Sequence, residues 1–129
     1  MSRLLGIDFG HKRVGLAVTD EMQTMAFPHK VFVNDNSLVK NICAVITEKQ
    51  ISEIVIGHSL DKEGNANSIH DKVEALMLDL TLETGLPIHL EPEQYTTQAA
   101  LRLQGRNDMT DAAAAALILD TFITKNKKK

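Results

Sequence analysis

Five carboxylates in this 129-residue chain stand where chemistry, and not solvation alone, could use them. Asp8 closes the apolar run LLGID, and an acid beside buried strand positions costs desolvation free energy unless a basic side chain, a ring of N–H donors or a metal ion lies next to it. Glu91 ends the run PIHLE, Glu93 follows it across Pro92, and Asp108 and Asp111 lie at the mouth of the alanine-rich stretch DAAAAALILDTFI. Carboxylates that converge raise one another's pKa and repel, so a cluster of them requires cations. The cation that suits them is Mg²⁺, or Mn²⁺ in its place: hard ions held by a few carboxylates together with water and phosphate oxygens. Two such ions about 4 Å apart can activate a water and steady the leaving oxygen of a phosphodiester. The five histidines are scattered and Cys43 is the only cysteine, so no zinc site is offered.

Each acid also has a plain structural explanation. Asp108 reads as a helix N-cap, and Asp111, three positions on, suits the positive end of the same helix. The run Ala112 to Ala116 would let that helix lie close on a sheet and hold its first turn near Asp8, which favours Asp111 as a ligand. Glu91 and Glu93, taken without context, are ordinary loop acids, and Thr96 and Thr97 are explained as caps. Asp8 is the hardest to dismiss, because an ordinary strand seldom ends in an unpaired acid.

The elements that must position these residues follow from hydrophobic period. RLLGID and RVGLAVT read as two strands of a hairpin around the turn FGHK, and MAFPHKVFV as a third strand whose Pro28 confines it to an edge or an irregularity. From Ser37, a plausible N-cap, Leu38, Val39, Ile42, Val45 and Ile46 recur at helical spacing. EIVIG is a short strand apolar on both faces, ending at Gly57, and His58 opens a polar loop. Ser68 and Asp71 resemble a capping box for a second helix, which Gly85 and Pro87 stop. PIHLE is a fifth strand, a short helix from Thr96 or Thr97 runs to Leu103, and DAAAAALILDTFI is a final helix. Right-handed crossovers then give an α/β fold with sheet order 3-2-1-4-5, three strands antiparallel and two parallel, and helices on both faces. This is a ribonuclease H-like arrangement, and it brings Asp8, Gly57 and Glu93 to one edge.

Length and composition fit one domain over residues 1–124, with a lysine-rich, disordered tail over 125–129. The net charge is −3, and Lys125, Lys127, Lys128 and Lys129 supply four of the fourteen basic residues, so the body is more acidic still. Such a body argues against a broad electrostatic grip on nucleic acid, though not against a local basic strip. One cysteine, no leader pattern and no long apolar stretch fit a reduced, cytoplasmic setting without membrane contact.

Four segments, LLGIDFGHKRVGLAVTD, EIVIGHSLDKEGNAN, EPEQYTT and DAAAAALIL, in this order and at these separations, resemble the YqgF (RuvX) family of ribonuclease H-like nucleases over nearly the whole chain. The resemblance implies a Mg²⁺-dependent nuclease. Members were proposed as Holliday junction resolvases by similarity to RuvC and are assigned to maturation of the 5′ end of pre-16S rRNA. Carried over by motif, the first catalytic aspartate and metal ligand falls on Asp8. The D-E-R-L-T-T signature places its threonines on Thr96 and Thr97 and its glutamate on Glu93, not Glu91, and the last aspartate falls on Asp111. Lys12 and Arg13 in the turn after Asp8, with Thr97, become nucleic-acid contacts. The signature's leading Asp is Pro92 here and its Arg is Gln94, while the G-L-P-L-N loop reads Gly57-His58-Ser59-Leu60-Asp61. The proposed ligands survive; several substrate contacts do not.

The expected function is therefore endonucleolytic processing of structured RNA, the precursor of small-subunit rRNA, within ribosome biogenesis. Branched DNA is the alternative substrate, because backbone-directed metal chemistry does not itself choose between sugars. A non-catalytic RNA-binding or ribosome-assembly factor of the same fold is a further alternative, favoured by Pro92 and Gln94. GIDFG followed by a basic turn also resembles the phosphate loop of actin-like ATPases and sugar kinases, which clamp nucleotide between two such domains, and ranks below these. The sequence leaves the oligomeric state open.

Overall fold

LLGIDF and VGLAVT are apolar on both faces, and pleating gives one face to each of two helical layers, as shown by a computed structural model that describes residues 3–10, 12–58, 68–92 and 110–127. The elements are β1 (Arg3–Phe9), β2 (Arg13–Thr19), β3 (Ala26–Val33), α1 (Leu38–Lys49), β4 (Ile51–His58), α2 (Ser68–Thr84), β5 (Ile88–Pro92) and α3 (Thr110–Lys127). The sheet order is β3-β2-β1-β4-β5, with β1, β2 and β3 antiparallel and β4 and β5 parallel to β1, as the sequence predicts. The short helix expected over Thr96 to Leu103 lies outside the described residues.

Pleating sends Leu5, Ile7, Phe9, Ile54 and Ile56 to one face, where α1 and α2 bury them. Leu4, Ala17 and Val55 point to the other face, against Ala115, Ile118, Leu119 and Ile123 of α3. Alternation therefore aims Asp8, between Ile7 and Phe9, at the α3 side.

Glycines set how closely α3 sits. A Cβ at Gly6 would lie 2.5 Å from Leu119 Cγ and 2.9 Å from the Ala115 carbonyl oxygen, and one at Gly57 would collide with Ile118. Hydrogen at Gly6 lets the alanine-rich helix rest on the sheet, and hydrogen at Gly57 leaves room for Ile118 as it stands.

Several local expectations are modified. Ser37 occupies the N-cap position of α1 but makes no side-chain capping bond; its own N–H donates to Asp35 Oδ1 at 2.9 Å. An aspartate two residues upstream thus organises the turn. The far end of α1 is closed by Gln50 in the left-handed region and by the Arg3 guanidinium, which donates to the Lys49 carbonyl at 3.2 Å. Pro28 does lie on an edge strand, and the β2–β3 register slips there, pairing Leu16 with Lys30 but Ala17 with Pro28, so that His29 is the extra residue of a bulge. β4 runs one residue past Gly57, making His58 the end of a strand. α2 stops as expected at Gly85, whose φ is +69°.

The lysine tail needs correction. α3 continues to Lys127, so Lys125 is helical, because the spacing that seats Ile118 and Phe122 on the sheet carries on to Lys125. Among the described residues no helix is long and apolar enough to cross a membrane.

Candidate functional site

Asp8 sits one residue from the C-terminal end of β1, and its cross-strand neighbours are Gly15 on β2 and Gly57 on β4. Gly57 in turn pairs with Glu91 on β5. The row Gly15–Asp8–Gly57–Glu91 thus runs across four strands, with two carboxylates on the α3 face and no side chain on either immediate neighbour of Asp8. Glycine on both sides leaves the carboxylate uncrowded by the sheet, although Ile118 covers Gly57 from above.

At the same end of the sheet, Lys12 and Arg13 form the β1–β2 turn and are exposed. The turn is held rather than loose. Asn34, just past β3, donates from Nδ2 to the Gly10 carbonyl at 2.8 Å, and its backbone N–H donates to the Lys12 carbonyl at 2.9 Å. Asn34 is a positioning residue that sequence reading missed; an amide residue immediately after a strand, facing a glycine turn, was the available signal.

The two glutamates separate. Glu91 is 6% exposed, the only charged residue buried among those described, and its Oε1 accepts from Lys125 Nζ. A carboxylate taken from water needs such a partner. Below it, His89 Nε2 and Glu53 Oε1 are 2.9 Å apart, and the His89 ring lies 5.0 Å from that of Phe122. Glu53, His89, Glu91, Phe122 and Lys125 therefore form a polar seam between α3 and the β4–β5 edge.

Glu93 and Thr97 lie outside the described residues, and so does Asp108. Asp111 falls in the first turn of α3, with its side chain outside the described set. Among the described residues no group of three His, Cys, Asp or Glu side chains converges. The structure thus brings Asp8 and Glu91 into one row and commits Glu91 to Lys125. The donor type the row presents at Asp8, a carboxylate flanked by glycine, fits a hard, hydrated divalent cation.

Comparison with known proteins follows the same line. The sequence profile of the family described as "RuvX: Holliday junction resolvase" matches residues 2–125. A Salinibacter ruber protein named "Putative pre-16S rRNA nuclease" is 36% identical, the match covering 96% of this chain and 94% of the relative. A protein of the same name from Maridesulfovibrio salexigens is 33% identical, over 95% of this chain and 98% of its own length. In fold, the chain is similar to Thermus thermophilus RuvC in complex with a Holliday junction substrate, with a TM-score of 0.66 at 16% identity, covering 97% of this chain and 96% of that one. The ribonuclease H-like α/β architecture expected from the sequence is the architecture found.

Proposed function

Since the chain belongs to the RuvX family, we propose that it is a divalent-metal-dependent endonuclease, cutting the precursor of small-subunit rRNA near its 5′ end. Asp8, Glu93 and Asp111 would hold the metal, Mg²⁺ or Mn²⁺, within one domain that runs through α3.

The observation that carries the reading is the row of Asp8, Gly57 and Glu91 across three adjacent strand ends. Two strand spacings put the Cα atoms of Asp8 and Glu91 about 10 Å apart. Glu93, two residues beyond Glu91, can lie no more than about 7 Å from it along the chain. That length of chain allows a glutamate following β5 to come to a hydrated ion beside Asp8, which supports the reading. Commitment of Glu91 to Lys125 supports Glu93 as the ligand.

When bound, such an ion supplies positive charge at the scissile phosphate and a water of lowered pKa. The chain's own residues do the rest. Asp8 holds its carboxylate at the end of a strand anchored on both sides, so little reorganisation is needed when charge develops. Lys12 and Arg13, on a turn tied down by Asn34, meet the phosphate backbone beside it, and the Thr97 hydroxyl is a further contact. Gln94 stands where the family signature has Arg, which removes a cation able to pair with phosphate and weakens the grip on substrate.

Four-way DNA junctions are the second reading, favoured by the family description and by likeness to a RuvC bound to its junction. The test sets precursor rRNA and four-way DNA side by side with Mg²⁺, using wild type and Asp8→Asn. Cleavage of the RNA, reduced on the order of 10²-fold or more by Asp8→Asn, is expected. Cutting that survives chelation or the substitution would remove the metal mechanism. Binding without cutting, indifferent to Mg²⁺ and to Asp8→Asn, would instead identify a non-catalytic RNA-binding factor.

A further inference from the structure

We propose that the Glu91–Lys125 ion pair is a positioning device: it locks the last turn of α3 to the end of β5, the strand that leads in sequence into Glu93. The inference rests on the reading of Glu93 as a ligand given above.

Among the described residues, the contacts made by the middle of α3 are mainly apolar. Leu119 rests on Gly6, Ile118 on Gly57, and Phe122 against the His89 ring. Burial of this kind is non-directional, so a helix held by it alone can slide or turn by small amounts. A buried carboxylate gripped by one ammonium is directional. Buried pairs add little stability over apolar replacements, and their best-attested use is to fix register between elements. Glu91 is that carboxylate, and it stands two residues before Glu93, in the same cross-strand row as Asp8.

α3 also carries Asp111 in its first turn and Lys125 near its last. Over 18 residues the helix is about 27 Å long, so a pivot at one end is levered into displacement at the other. One pair thus ties the helix that carries Asp111 to the strand that precedes Glu93 in the chain.

Lys125 can be tested without opening the core, because its side chain is 56% exposed. Charge alone and positioning make opposite forecasts for Lys125→Met. Removing a cation near the site should tighten divalent-cation binding if charge were the whole effect. If Lys125 positions the strand end, binding weakens, by roughly tenfold as for other residues that orient ligands from outside the coordination sphere.

The experiment is Mn²⁺ titration of the nucleic-acid-free chain by calorimetry, with circular dichroism confirming the fold, for wild type, Lys125→Met, Lys125→Arg and Glu93→Gln. Weaker uptake by Lys125→Met, restored in Lys125→Arg, is the expected result. Unchanged or tighter uptake by Lys125→Met, with Glu93→Gln impaired, overturns the positioning role while leaving the metal reading intact. Wild-type uptake that Glu93→Gln leaves unaltered, or no uptake at all, removes the reading of Glu93 and this inference with it.

Discussion

Asp8 owes its candidacy to its neighbours as much as to its charge. A carboxylate between two larger residues would be fenced in, whereas Gly15 and Gly57 leave the strand end open around it. The cost of that openness is that α3 must cover bare backbone, and the two covered glycines respond differently to added bulk. At Gly6 an added methyl meets the Ala115 carbonyl oxygen at 2.9 Å as well as Leu119, and a helix carbonyl cannot rotate aside. At Gly57 it meets only the Ile118 side chain, which has other rotamers. Gly6→Ala should therefore destabilise by about 1–3 kcal/mol, as overpacking does, and by more than Gly57→Ala. Urea unfolding of both variants checks the ranking, and equal losses would mean that α3 lifts as a whole.

Among the elements, β3 is the least regular, and the irregularity has a consequence for pH. Pro28 cannot donate to the ladder, the register slips beside it, and His29 is left as the bulged residue between α1 and the sheet. Its Nε2 is buried with no hydrogen-bond partner among the described residues. Burial pushes the His29 pKa below its ordinary value, Lys49 and Lys30 push it further, and Glu48 opposes them. A base with a lowered folded-state pKa leaves the unfolded chain binding more protons, so stability rises with pH and is lost as pH falls below the unfolded value of about 6.5. Wild type should lose more stability than His29→Gln does from about pH 7.5 to about pH 5.5, a range centred on the unfolded value. Parallel denaturation curves for the two across that range would show that His29 titrates as it does in the unfolded chain. The opposite edge, β5, is anchored by polar contacts, with His89 against Glu53 and Glu91 against Lys125.

For the whole molecule, a metal that binds the folded chain and not the unfolded one must raise stability by mass action. At a hundredfold excess over its dissociation constant, Mn²⁺ should add about 2.7 kcal/mol and raise the melting temperature, and Asp8→Asn should abolish the gain. A thermal shift that Asp8→Asn retains would locate the cation elsewhere. The acidic body makes that control necessary, since a chain of net charge −3 with seventeen acids attracts divalent cations at its surface as well. Site binding is recognised by its dependence on Asp8 and by its resistance to added monovalent salt.

The sequence by itself determined the strands, the helices around them, the order of the sheet and the place of Asp8, because each depends on hydrophobic period and chain connectivity, which are written locally. It also singled out the carboxylates at the strand ends, and family likeness agrees with the chemistry they suggest. Only the tertiary structure decided between local options that look alike in one dimension. Ser37 reads as the cap of α1, yet its side chain makes no capping bond and its N–H donates to Asp35. Glu91 reads as a loop acid and Lys125 as part of a solvated tail, yet the two pair across thirty-four positions of sequence, with Glu91 buried and Lys125 half-exposed. No window of neighbouring residues contains that contact: it exists because Gly6 and Gly57 let α3 settle close enough for its last turn to reach the edge of the sheet.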